Sequence, residues 1–183
     1  MPRYFDVIDH ESEKRKKVQY VLLFFAFCIS ISILMIPEIK KYKHQWDTLR
    51  VARKLGSYIL QIKTDYIKSG KAFEVRFTKP GLVEFYEVSS CGVSQTNRLI
   101  EKKNLSDFSG DIDFLSASEV SKFGIDDVTL LNRFCYNPLT GSSLSADGIF
   151  HGSIFLWAKN ALEDDHFPVK ITFVGTNGDV EIE

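Results

Sequence analysis

Residues 52–77 read ARKLGSYILQIKTDYIKSGKAFEVRF, and the period of the apolar positions changes inside that stretch. Up to Tyr66 the apolar residues Ala52, Leu55, Ile59, Ile62 and Tyr66 step by three or four, which is one face of a helix. Ser69-Gly70 then carries a helix-stop signal. From Ala72 onward Phe73, Val75 and Phe77 alternate with Glu74 and Arg76, the period of a half-buried strand. Pro80-Gly81 marks a turn and LVEFYEV (82–88) a second strand, so a hairpin follows the helix directly. The predicted class is α+β: a long N-terminal helix, then a mostly antiparallel β-sheet domain whose apolar face the amphipathic helix covers.

Toward the N-terminus the three-and-four spacing continues through Leu49, Trp46, Tyr42 and Ile39 to Pro37, where a kink is expected because proline lacks the N–H that a helix interior uses. Before Pro37 stands VQYVLLFFAFCISISILMI (18–36), nineteen residues with no formal charge. At helical rise this run is about 28 Å long, close to the hydrocarbon thickness of a bilayer. Lys14, Arg15, Lys16 and Lys17 precede it directly, as expected of an anchor rather than of a buried core helix. A cleaved signal peptide would have to be cut near Ser30-Ile31-Ser32, and a lipid anchor on Cys28 would follow a bulky Phe27, so both fit less well. Four consecutive basic residues before the span outweigh Lys40, Lys41 and Lys43 after it, placing the N-terminus in the cytoplasm and the remainder outside. The expected organisation is a charged tail over 1–17, a transmembrane helix over 18–36, an amphipathic continuation over 37–70 and an extracytoplasmic β-rich domain over 71–183.

Toward the C-terminus, strands are expected at 128–136, 148–157, 167–175 and 180–183, with Asn177-Gly178 as a hairpin signal between the last two. Residues 89–127 read as irregular, with a short helix around 117–122. The net charge of −1 conceals a division: residues 38–68 hold eight basic and three acidic side chains, and residues 69–183 hold ten basic and seventeen acidic ones. An acidic C-terminal part argues against nucleic acid as a partner.

No sequence motif nominates a catalytic centre. His10, His44, His151 and His166 lack metal-ligand spacing. Glu163-Asp164-Asp165-His166 lacks the alternating ligands and glycine of a calcium loop and reads as a solvated turn. No G-x-S-x-G, P-loop or G-x-G-x-x-G is present. The chain therefore reads as a non-enzyme without metal or cofactor, and a hydrolase would need a spatial cluster around residues such as His151 and Asp165. Cys28 reads as an apolar filler in the span. Cys91 and Cys135 fall in the part placed outside the cytoplasm, where they form either a disulfide or two free buried thiols, an oxidising compartment favouring the first.

A charged tail, an apolar helix, a proline near its end and an amphipathic continuation into a β domain together resemble type IV pilin-like proteins. More narrowly, residues 52–77 with the Tyr66-Ile67-Lys68-Ser69-Gly70 ending are similar to the H-type minor pseudopilins of type II secretion and the FimT-type minor pilins. FCYNPLTGSS (134–143) resembles the family's F-x-P-x-G turn, and FPVKITFVGTNGDVEIE (167–183) its closing strand-turn-strand. Aligned on Pro37, the family's cleavage glycine falls on Arg15 and its acidic position on Tyr20, so this chain departs from the prepilin motif. The resemblance implies a structural component of a type II secretion or type IV pilus-like apparatus in the bacterial inner membrane, with its C-terminal domain in the periplasm. Lipid would contact residues 18–36, and other pilin-like subunits or secretion-apparatus proteins would be its partners. Ile39, Tyr42, Trp46 and Leu49, an aromatic-bearing face just beyond the span, are the candidates for packing on a partner helix. The alternative is a single-pass, membrane-anchored periplasmic binding or scaffold protein unrelated to pili.

Overall fold

A computed structural model describes residues 4–91, 98–108, 111–125, 129–138, 141–143, 152–159, 161, 167–174 and 179–183. It divides into two units, Met1–Lys40 and Lys41–Glu183. Helix α1 occupies Tyr4–Ser69 and runs on through Pro37.

The first unit is helical over its described residues, with side chains from 18 to 36 almost all exposed. This helix is long and apolar enough to cross a membrane, with an 18-residue window of mean hydropathy 2.4. The two serines of the apolar run 18–36 are satisfied within the helix: the Ser30 hydroxyl donates to the Ala26 carbonyl at 2.9 Å and Ser32 to Cys28 at 2.8 Å. Such back-bonding hides hydroxyls that hydrocarbon would otherwise leave unpaired.

In the second unit α1 ends at a glycine. Gly70 adopts φ +68°, its N–H donates to the Ile67 carbonyl, and the Lys71 N–H donates to Tyr66, both at 3.2 Å. This paired pattern satisfies the last helical carbonyls and needs a left-handed residue, which glycine supplies at least cost. The chain then enters β1 (Ala72–Thr78), turns at Lys79–Gly81 and returns as β2 (Leu82–Val88), with Phe73 opposite Glu87 and Phe77 opposite Val83.

The β region forms two antiparallel sheets rather than the single one expected. The first has the order β3-β2-β1-β5-β6, with β3 at Arg98–Asn104, β5 at Arg133–Asn137 and β6 at Gly141–Ser143. The second has the order β4-β7-β8-β9, with β4 at Ile112–Phe114, β7 at Gly152–Ala158, β8 at Val169–Val174 and β9 at Asp179–Ile182. Residues 129–132 join the sheets. Leu130 bridges Ser153 of β7 in parallel, and the Asn132 carbonyl accepts from the Phe77 N–H of β1 at 2.8 Å. Gly81 adds a second seam, donating its N–H to Asp113 of β4 and accepting from the Leu105 N–H at 2.7 Å.

Two further sequence expectations need correction. Residues 89–127 contain β3 and β4 besides α2 (Ala117–Val120) and a following 3-10 turn, so the segment is not irregular throughout. RLIEKKN has little apolar alternation because β3 is an exposed edge strand, and β2 supplies its ladder. The strand expected from 128 begins only at Arg133, because Leu130 makes an isolated bridge to the other sheet. The Asn177-Gly178 turn lies outside the described residues, although β8 and β9 pair on either side of it, Val174 opposite Asp179.

One core unites helix and sheets. Val51, Ala52, Leu55, Ile59 and Ile62 of α1 are buried against Phe73, Val75, Phe85, Phe134 and Phe173. The opposite face of β7 is buried too: Phe155 and Trp157 are covered, and Phe123 sits 4.9 Å from the Trp157 ring. The α2 excursion thereby explains why every residue of β7 is buried.

Candidate interaction surfaces

The face of α1 that the sequence reads as one stripe is two faces in the structure. Ala52, Leu55, Ile59 and Ile62 enter the core, with Thr48 and Val51 beside them. Tyr42 and Trp46 do not: they are 71% and 65% exposed. Ile39, in the first unit, is also exposed, whereas Leu49 is half-buried at the core's edge. The proposed partner-packing residues are thus not one cluster, and Leu49 belongs partly to the domain's own interior. Leu60 and Ile67, absent from that set, are exposed on the same side as Tyr42 and Trp46. Positions 42, 46, 49, 60 and 67 recur at near-integral turns, forming a second apolar line about a third of a turn from the buried one. The seven-residue spacing of Leu60 and Ile67 is the sequence signal that reveals it.

Each flank of α1 holds an edge strand. On one side Tyr58 stacks edge-on against Phe85 at 5.3 Å and donates its hydroxyl to Glu101 of β3. Lys103 lies 5.3 Å over the same ring and 2.8 Å from Glu101. Burial, reinforced by the Glu101 carboxylate, raises the Tyr58 pKa, while the Lys103 ammonium and then the Tyr58 hydroxyl lower that of Glu101. Lys54 extends this flank by donating to the Phe108 carbonyl at 2.7 Å. On the other side Gly56 is buried against β9, where an added Cβ would meet Val180 and Ile182 side chains at 3.3 Å. Lys63 lies 3.5 Å from Asp179 on the same flank.

Cys91 and Cys135 are joined by a disulfide with a Cα separation of 5.7 Å. It sits with Ala72 and Val88 on the face of the first sheet away from α1. Cys28 is a free thiol in the apolar helix.

A cleft of about 300 Å³ near α2 is lined by Lys79, Asp113, Glu119, Lys122, Trp157 and Lys159 among others. Its charges are engaged: Lys79 pairs with Glu119, and Lys159 with Asp111 at 3.1 Å. The Glu119 carboxylate also accepts from the Ser116 N–H at 2.6 Å and from its hydroxyl. These donors, Lys79 first, hold the Glu119 pKa at about 2. A lowered pKa contributes stability above the ordinary carboxylate range, and that contribution disappears as pH falls from about 4.5 toward 2. The Tm should therefore fall more steeply as pH drops across that interval in the parent protein than in Glu119→Gln. Parallel pH profiles would contradict this assignment.

Among the described residues no group of three or more His, Cys, Asp and Glu is arranged to hold a metal ion. His151 and residues 163–166, the nominees for a hydrolytic cluster, lie outside the described residues.

These features define a class: an α+β protein whose helix is apolar enough to cross a membrane at one end and docks a two-sheet domain at the other. The chain matches no family model and no curated protein. Among solved structures it is similar to the type IV minor pilin FimU of Pseudomonas aeruginosa, at 8% identity and a TM-score of 0.45, over 73% of this chain and 85% of that one.

Proposed function

We propose that this chain is a non-enzymatic, pilin-like structural subunit of a type II secretion or type IV pilus-like apparatus, anchored once in the bacterial inner membrane. Residues 1–17 lie in the cytoplasm in this reading, 18–36 in the bilayer, and 37–70 lead to a periplasmic domain over 71–183. The observation that carries it is the exposed line on α1. An apolar, aromatic-bearing helix face directly beyond a span, left uncovered by the chain's own domain, is suited to packing against another helix. The residue-level resemblance of 52–77 to minor pseudopilins supports the same reading, and the Cys91–Cys135 bond suits an oxidising compartment.

Tyr42 and Trp46 test this better than Leu49, whose replacement would also disturb the core. Tyr42→Ser with Trp46→Ser should lower co-purification with pilin-like partners about tenfold, the scale of losing aromatic anchors. Unchanged recovery at unchanged expression would count against helix-mediated assembly.

Arg15 and Tyr20, standing where the resemblance places the cleavage glycine and an acidic residue, favour the narrower role of a permanently anchored assembly component.

A further inference from the structure

Both sheets end in strands that have one backbone partner among the described residues: β3 pairs with β2, and β9 with β8. From the geometry of these two edges we infer that β3 of one copy pairs with β9 of a second copy, joining neighbouring domains by a shared sheet. The pairing goes beyond the helix packing proposed above and stands on different residues.

Their placement is the first argument. Tyr58, which holds β3, and Gly56, which seats β9, are two residues apart on α1 and so point to opposite sides, about 200° apart. The two edges therefore flank the same helix, and copies set side by side bring the β3 flank of one to the β9 flank of the next.

Charge is the second. β3 carries Arg98, Lys102 and Lys103 against one acid, Glu101, and two of its apolar side chains, Leu99 and Ile100, are 49% and 39% exposed. A bulge in β3 at Ile100, between the partners of Phe85 and Tyr86, and these basic side chains are devices that deter edge-to-edge pairing. They deter a second β3 most strongly, since like charges would meet, and they admit an acidic strand. Among the four sheet-edge strands the most acidic is β9 with the residue after it, Asp179-Val180-Glu181-Ile182-Glu183, against the single Asp113 of β4. β9 paired with another β9 would face three acids with three acids.

Direction is the third. Arg98 lies in electrostatic range of Tyr66, while Glu101 and Lys103 sit at Tyr58, so β3 runs opposite to α1. Asp179 sits at Lys63, and Val180 and Ile182 at Gly56, so β9 does too. Copies whose helices share a polarity would thus pair β3 and β9 in parallel. The pairing of Arg98 with Glu87 and of Lys102 with Glu84 puts these two side chains on opposite faces across the bulge. Lys102 and Leu99 turn away from α1, as Asp179 and Glu181 do on β9, so Leu99 falls level with Asp179 and Lys102 with Glu181. This register rests on the membrane-anchored reading, which gives neighbouring helices one polarity. Because the two edges differ, the contact is head-to-tail and generates rings or filaments rather than closed pairs.

Site-directed disulfide cross-linking of the full chain in native membranes tests the pairing, with Cys28→Ser removing the free thiol. Leu99→Cys on one tagged copy and Asp179→Cys on another should give a mixed dimer, and both substitutions on one chain should give a ladder. Lys102→Glu should reduce the yield up to about fivefold, and Glu181→Lys on the partner copy should restore it. A parallel experiment with Trp46→Cys reads helix packing separately. Trp46 cross-links without 99–179 cross-links would overturn the edge pairing and leave helix assembly standing. The reverse result would support the pairing and remove helix packing. Cross-links only between two copies of position 99, cross-links to a different protein, or no cross-links at all would each overturn it.

Discussion

Leu55→Ala lowers the unfolding free energy by about 3 kcal/mol, because it removes a fully buried side chain at the contact between α1 and both sheets. The surrounding aromatic side chains, among them Phe73, Phe85 and Phe134, are themselves fully buried and cannot close over the missing volume without leaving rotamers that pack well. Leu60→Ala, five residues along the helix and 37% exposed, is expected to cost under about 1 kcal/mol. Urea unfolding of the two variants in detergent reads the difference as a shift in midpoint. The pair also fixes the rotation of α1: if Leu60→Ala were the costlier, the helix would present its other line to the domain, and Tyr42 and Trp46 would lose their claim to be an external surface.

The second large effect belongs to the Cys91–Cys135 bond. It closes a loop with a sequence separation of 44, for which chain entropy alone gives about 4 kcal/mol. That loop includes β3, β4 and α2, the segment with the weakest local pattern, so the bond limits the freedom of the part of the chain least able to organise itself. Cys91→Ser with Cys135→Ser should bring the urea midpoint down to that of the reduced parent protein, and the variant should be indifferent to reductant. A parent midpoint unchanged by reduction would show that the thiols are not paired in the native protein, and would weaken the periplasmic placement at the same time.

The parts of the fold legible in the sequence are those specified locally. Gly70 ends α1 because the closing hydrogen bonds need a positive φ, and the change from three-and-four spacing to alternation on either side of it is visible within twenty-six residues. The β1–β2 hairpin is legible for the same reason, since Pro80-Gly81 and two alternating runs lie together. β3 is not, because its strand character comes from β2 and from the Tyr58–Glu101 contact rather than from its own composition. The division into two sheets is equally hidden, depending on residues 129–132 reaching β1 and β7 at once.

The candidate surface was legible in kind and blurred in detail. Spacing by three or four admits two neighbouring lines on one helix, and composition does not say which the following domain covers. The buried line is marked by small Ala52 and Gly56, which allow close approach of the sheets, while the exposed line carries the bulky Tyr42 and Trp46. Ile39, Tyr42, Trp46 and Leu49 therefore separate into three exposed residues and one at the edge of the core.

The most direct test of helix-mediated assembly is a photo-crosslinking residue placed at position 46 of the full chain and activated in native membranes, with adducts identified by mass spectrometry. Adducts to the corresponding helix of a second copy or to the helix of a pilin-like partner are the result the proposal predicts. Adducts to lipid alone, or to no protein at all while the chain remains in the membrane fraction, would contradict it.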